Sequence, residues 1–195
     1  MNRQSIQNLA EVSSRLMARG TQVVAALGLF LAFTAAPAQA EEPVTISLAA
    51  TYFQNDHAEW VPTNDAEIQR MVDTRNTFRS LLEDSGRYAF TMPDPALQET
   101  INKGQKLGSC AGCEFKYGEA LGVSQVAWIE VQKVSELILN LNVYIADVDA
   151  RQMAFVKSVD LRGNADVSWN HAITYLVENY LLAGPLIPPT PPIEG

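Results

Sequence analysis

Between Val123 and Arg162 the sequence VSQVAWIEVQKVSELILNLNVYIADVDARQMAFVKSVDLR settles into a repeat of two. In its middle run Leu137, Leu139, Leu141, Val143 and Ile145 fall on one face; Ile138, Asn140, Asn142, Tyr144 and Ala146 fall on the other. That alternation predicts a strand with one buried face and one wetter face. The runs on either side join it through short breaks, Ser135-Glu136 and Asp149 to Arg151, so the three strands should form an antiparallel meander. The second break lies in ADVDARQM, with the acidic chemistry that Asp brings to turns.

Other stretches follow different periods. Val44 to Phe53 is rich in β-branched and aromatic residues and predicts a strand. Gln54 to Thr63, holding His57, Trp60 and Pro62, reads as a loop. Asn64 with Glu67 three residues later predicts a capping box. Ile68, Met71, Val72, Phe78, Leu81 and Leu82 then follow at helical spacing, up to a C′ glycine at Gly86. Arg87 to Met92 predicts a short strand, Pro93 and Pro95 open a helix that ends near Gly104 to Gly112, and Glu114 to Leu121 predicts a helix stopped by Gly122. Gly163-Asn164 reads as a turn and cap, and Trp169, Ile173, Leu176, Val177 and Tyr180 mark the apolar stripe of a last helix ending at Gly184. The order predicts an α+β fold: a mixed sheet with a C-terminal three-stranded antiparallel meander and helices packed mainly on one face.

Charge and the first forty residues change the picture. Arg3, Arg15 and Arg19 outweigh Glu11, and Val23 to Ala35 is an apolar run too short to span a bilayer comfortably. Ala38-Gln39-Ala40 then offers the small-x-small pattern of a signal-peptide site, with cleavage expected between Ala40 and Glu41. An uncleaved membrane anchor is the alternative. No cysteine follows the apolar run, so a lipid anchor is not supported. The expected organisation is a leader at 1–40, one α+β domain at 41–184 and a Pro-rich tail at 185–195, in the periplasm and without stable membrane insertion once the leader is gone. The whole chain carries −8; subtracting the leader's +2 leaves −10. Such a chain repels phosphate backbones and argues against nucleic acid. The tail has P-x-x-P spacings at Pro185/Pro188 and Pro188/Pro191, with a solvated tail as the plainer reading.

Cys110 and Cys113 are the two cysteines. In an exported protein they are expected to form a disulfide that pins the backbone. A redox-active dithiol at a helix N-terminus is the sharper alternative, although thioredoxin-like sites follow a strand directly and this one follows a glycine-rich loop. A metal site drawing on Cys110, Cys113, His57 and His171 lacks the usual histidine spacing. Haem attachment fails because Glu114 stands where C-x-x-C-H needs histidine. No nucleophile elbow or phosphate loop is present, so no catalytic residue and no cofactor is expected.

The wetter face of the meander carries the remaining signal. Trp128, Glu130 and Gln132 alternate along one strand, and Asn140, Asn142 and Tyr144 along the next. Aligned, they would form an amide-rich surface with aromatics at its ends, suited to protein contacts. A small-ligand module in which Trp60, Trp128 or Trp169 lines a pocket is a further reading.

The segments CAGCE, ALGVSQVAWIEVQKVSELILNLNVYIADVDARQ and SVDLRGNADVSWNHAITYLV resemble a proteobacterial family of exported proteins described as a domain of unknown function. The shared pattern is C-x-x-C-E, A-x-x-L-G-x-x-x-V, K-V-S-x-L-I-L and D-L/I-R-G-N-x-D-x-S-W. More distantly the last strands and helix are similar to the TolB amino-terminal domain and the CsgG/LpoB group, although Gln132-Lys133 stands where those often have glycine. The resemblance implies an α/β module that binds other envelope proteins, carries no catalytic residues and in some members accompanies quinoprotein alcohol dehydrogenase systems.

Overall fold

The computed structural model describes residues 42–185; the expected leader at 1–40 and the tail beyond Pro185 lie outside that range. Five strands and four helices follow the chain as β1 (Val44–Asn55), α1 (Asp65–Asp84), β2 (Tyr88–Phe90), α2 (Pro95–Lys103), α3 (Cys113–Leu121), β3 (Gln125–Lys133), β4 (Leu139–Asp147), β5 (Gln152–Leu161) and α4 (Asp166–Leu176), with a π-helical turn at Val177–Leu181. The fold is α+β. One mixed sheet has the order β2-β1-β3-β4-β5: β1 runs parallel to both neighbours, and β3, β4 and β5 form the antiparallel meander. Among the described residues no helix is long and apolar enough to cross a membrane.

The two faces of the sheet are treated differently. One is closed by α1 and α4, whose Met71, Phe78, Leu82, Trp169, Ile173 and Leu176 pack on Ile46, Leu48, Ile129, Leu141, Val143 and Ile145. The two short helices α2 and α3 cover only one end of the other face, over Ala49, Val126, Trp128, Ala146 and Val148. Gly118 lets α3 sit there, because a Cβ at that position would come within 2.3 Å of a Val148 methyl. Among the described residues no helix lies over the rest of that face.

Local structure departs from the periodicity reading at defined places. The capping box forms, with Glu67 N donating to Asn64 Oδ1 and Asn64 N to Glu67 Oε2, both at 3.0 Å. The buried stripe of α1 is Glu67, Met71, Thr74, Phe78 and Leu82, leaving Ile68 and Val72 in solvent, one position off the expected stripe. The hairpin break is wider than Ser135-Glu136: Val134 and Ser135 N–H groups both reach the Ile138 carbonyl, so Leu137, expected on the buried face, is 74% exposed. Asn164 is not a helix cap; Ala165 holds that position without a side-chain bond. In the final helix the π-helical turn adds a residue to the repeat, so Leu181 enters the core and Tyr180, expected on the stripe, lies against Lys157 at the surface.

Glu67, besides completing the capping box, and Asn164 belong to a buried polar network. Glu67 is 0% and Lys133 2% exposed, and their side chains meet at 2.6 Å. Asn164 Nδ2 donates to the same Glu67 oxygen at 2.6 Å and to Glu136 at 2.9 Å, while Lys133 also bridges to Glu136. Asn164 Oδ1 accepts from Trp169 Nε1 at 3.0 Å and Arg70 Nη1 at 3.2 Å, and Arg70 Nε donates to Asp166 at 2.7 Å. Burial pushes the Glu67 carboxyl up, but the bonds from Lys133, Asn64 and Asn164 outweigh it and hold the group below its ordinary value. Burial likewise pulls Lys133 down, and its Glu136 and Glu67 partners more than restore it. Glu136 is held low by Lys133 and Asn164.

Removing one member strands the others. Lys133→Met leaves the Glu67 carboxylate buried without its cation and should lose about 3 kcal/mol, moderated because the network opens to solvent at Glu136. The Glu67→Gln/Lys133→Met double variant should lose less than the sum of the single losses in urea titrations; simple additivity would show that the pair is not coupled. The pH signs are opposite at the two ends of the scale. The depressed Glu67 and Glu136 contribute stability that is present above the ordinary glutamate value of 4.5 and lost as pH falls below it. The raised Lys133 contributes stability that is present below 10.5 and lost as pH climbs through its higher folded value. The urea midpoint should therefore fall on acidification below pH 4.5, with a shallower slope in Lys133→Met; equal slopes would contradict the assignment.

Candidate functional site

The open half of the sheet is built by register. Tyr52, Glu130, Asn142 and Ser158 stand side by side across β1, β3, β4 and β5. The next row outward is Gln54, Gln132, Asn140 and Asp160, and the row inward is Ala50, Trp128, Tyr144 and Val156. Side chains two residues apart on a strand share a face, so the three rows grade from aromatic to amide to amide-and-acid. Glu130, Gln132, Asn140, Asn142 and Tyr144, expected together from the alternation, are brought together and half-exposed. Trp128 is on the same face but only 2% exposed, because the loop before α3 lies over its indole; a Cβ at Gly108 would sit 3.1 Å from the ring. Its contribution is to support Tyr144, which stacks on it with ring centres 5.1 Å apart.

The polar rows are internally tied. Gln54 Nε2 and Gln132 Nε2 each donate to a different oxygen of Asp56 at 2.8 Å, and these two bonds hold the Asp56 carboxyl below its ordinary value. With its amide nitrogen turned toward the acceptors, Asn140 donates to Asp160 Oδ1 at 2.8 Å. Asn142 Nδ2 reaches the Glu130 carbonyl at 3.4 Å. Burial, helped by the Glu130 charge, pushes the Tyr144 hydroxyl up. Asp56, Glu130 and Asp160 outnumber the cations beside them, Lys106 against Glu130 and Arg162 in a hollow with Asn140 and Asp160, so the surface is mildly acidic.

Lys106 comes from a wall beside the floor. The segment 104–112 connects α2 to α3, and Lys106 pairs with Glu130 and lies 5.5 Å from the Tyr52 ring centre. Leu107 N donates to the Tyr52 hydroxyl at 3.0 Å and Leu107 is buried. The far end of the wall is fixed by the Cys110–Cys113 disulfide, which forms as expected and leaves no free cysteine among the described residues. Sequence spacing offered no sign of Lys106, Tyr52 or Gln54, since their place depends on which strands become neighbours.

The remaining candidates scatter. His57 and Trp60 sit in the β1–α1 loop, where Trp60 is 82% exposed beside a groove of about 270 Å³ formed with Val61, Lys133, Val134 and Glu136. His171 is on the outer side of α4, near Tyr175. Neither histidine approaches the cysteines. Among the described residues the one grouping of metal-ligand types is Cys110, Cys113 and Glu114, in which both sulfurs are bonded to each other. Trp169 is core, its edge reaching a groove of about 210 Å³ between α1 and α4.

With this geometry in hand the affiliation is direct: residues 45–181 match the sequence model of the DUF3280 family, described as "Protein of unknown function (DUF2380)", and the chain belongs to that family. No curated protein matches the chain. Among solved structures it is similar to lipoprotein GNA1162 from Neisseria meningitidis, with 14% identity, TM-score 0.46, and coverage of 74% of this chain and 99% of that one. It is also similar to the PelC dodecamer from Paraburkholderia phytofirmans (10%, TM-score 0.43, 70% and 86%). A third is TolB from Acinetobacter baumannii (16%, TM-score 0.42), where it covers 74% of this chain and 30% of that one.

The disulfide closes so small a ring that its entropic contribution is roughly 2 kcal/mol. Replacing both cysteines by serine should therefore lower stability by about that amount while loosening the wall selectively. Hydrogen exchange should rise within 104–112, at Leu107 above all, and stay unchanged in β3 and β4. Uniform acceleration across the sheet would show that the bond holds the whole fold instead.

Proposed function

We propose that the protein is a non-catalytic accessory or adaptor of the cell envelope that works through protein–protein contacts. The observation that carries this reading is the in-register alignment of Glu130, Gln132, Asn140, Asn142 and Tyr144 on the part of a sheet face that no helix among the described residues covers. Sheet faces of this size are normally solvated or covered; this one is graded from aromatic to amide, walled by a pinned loop and offers outward-facing acceptors. Its acidic character favours a partner with basic and amide groups. The leader expected at 1–40 supports export to the periplasm.

A photoreactive residue placed at Gln132, Asn142 or Ser158 in the exported protein tests the reading. All three positions should yield the same adduct in cells, and Asn142→Arg should abolish it without shifting thermal stability by more than about 0.5 kcal/mol. Probes at Glu83 and Asn76 on α1 serve as the contrast; equal adducts there, or none on the sheet face, would sink the proposal. The family resemblance makes a quinoprotein alcohol dehydrogenase system the first partner to seek among the adducts.

A further inference from the structure

The wall of the open face contains a carboxylate in an unusual place. Glu114 is the second residue of α3, 7% exposed, and its Oε2 lies 3.1 Å from Cys110 Sγ. A disulfide sulfur has no hydrogen to donate, so in the oxidised protein this buried oxygen faces a group that cannot satisfy it. With the bond open, the Cys110 thiol sits at the right distance to donate its proton to that oxygen. Cys113 is the first residue of α3, and its N-cap Gly112 brings no side-chain acceptor, so the helix end favours a thiolate there. The chain reaches this arrangement through two successive left-handed residues, Ala111 (φ 52°) and Gly112 (φ 95°), the first an uncomfortable state for alanine. Both cysteines are half-buried.

We infer that Cys110 and Cys113 form a reversible thiol–disulfide exchange site in which Glu114 accepts the Cys110 proton, and that a thiol/disulfide couple in the surroundings is its co-reactant. In the reducing direction an external thiolate attacks Cys110 Sγ. The bond to Cys113 breaks and its electron pair leaves on the Cys113 sulfur, at the helix N-terminus. A second external thiolate then attacks the incoming sulfur of the mixed disulfide. It releases Cys110 as a thiolate, which takes a proton from solvent and donates it in a hydrogen bond to Glu114. Two external thiols are thereby oxidised to one disulfide, and the protein disulfide is reduced to a dithiol. In reverse, Glu114 takes the Cys110 proton, the thiolate attacks an external disulfide and expels one external thiolate, and the Cys113 thiolate then attacks Cys110 Sγ, closing the protein bond and expelling the second. The site stands on its own geometry, independent of what docks on the sheet face. The state of the bond would nevertheless govern how firmly 104–112 holds Lys106 over Glu130.

The test uses the full chain equilibrated in glutathione buffers, with free thiols counted by alkylation. Wild type should exchange reversibly at millimolar glutathione. Glu114→Gln keeps the shape but removes the charged acceptor that stabilises the dithiol, so the equilibrium should move toward the disulfide by about tenfold. Its reoxidation by oxidised glutathione at pH 7 should slow by a similar factor. Glu114→Asp, which keeps the charge but withdraws it from the sulfur, should fall between them, and it decides the matter alone if the glutamine variant does not fold. A bond that stays closed against excess glutathione, or variants within twofold of wild type in both measurements, would overturn the inference and leave the disulfide a static clamp.

Discussion

One buried cation and the carboxylate it pairs with fix the relation between the parts of this fold. Lys133 ends β3, Glu136 follows three residues later in the hairpin, Glu67 belongs to the first turn of α1 and Asn164 to the entry of α4; three segments far apart in sequence meet within hydrogen-bond distance. Taking such charges out of water is expensive, and only a fully satisfied set of partners offsets the cost. The satisfaction is nearly complete here: both Glu67 oxygens are bonded, and Asn164 uses both ends of its amide. The arrangement is also specific. A one-residue slip of β3 would carry Lys133 to the other face and leave Glu67 alone in the core.

That constraint explains why the sheet can leave half a face open. With α1 and α4 held to one side by the network and by the core between Phe78, Trp169 and β4, the stability of the body rests on the covered face. The other face then needs covering only where its residues are apolar, at Val126, Trp128, Ala146 and Val148, and there α2, α3 and the pinned loop supply it. Beyond Tyr144 the rows turn polar and the covering stops. The boundary of the open surface is thus set by side-chain chemistry along β3 and β4.

The same division separates what the sequence discloses from what it conceals. Alternation in β4 gives away the meander and even its faces, because a period of two needs only the strand itself. The capping box at Asn64 and Glu67 and the C′ glycine at Gly86 (φ 66°) are equally local and equally legible. The errors come where a distant partner decides. Glu67 and Thr74 look like surface residues and occupy the core stripe, with Glu67 meeting Lys133 there, while Ile68 and Val72 look like core and face solvent. Trp128 looks exposed from its place on the polar face and is covered, because a loop some twenty residues upstream folds back across it. Of the open face, the β3 and β4 members could be foreseen; Tyr52, Gln54 and Lys106 could not, since their positions depend on parallel pairing and on a loop trace.

The segments that carry the resemblance gain physical content from this. Lys133 of K-V-S-x-L-I-L and Asn164, Asp166 and Trp169 of R-G-N-x-D-x-S-W are the network and its collar, so these positions hold the architecture. Gly163 (φ 102°) is needed for the chain to bring Asn164 inward. C-x-x-C-E is different in kind. Its glutamate contributes nothing to the network and is aimed at a sulfur, 3.1 Å away, which offers it no proton. As the second residue of α3 it also complements the positive end of that helix. A Cys110 thiol, in the exchange we infer, would give the acid a hydrogen-bond donor as well, and that would set this corner of the molecule apart from the static scaffold on which it stands.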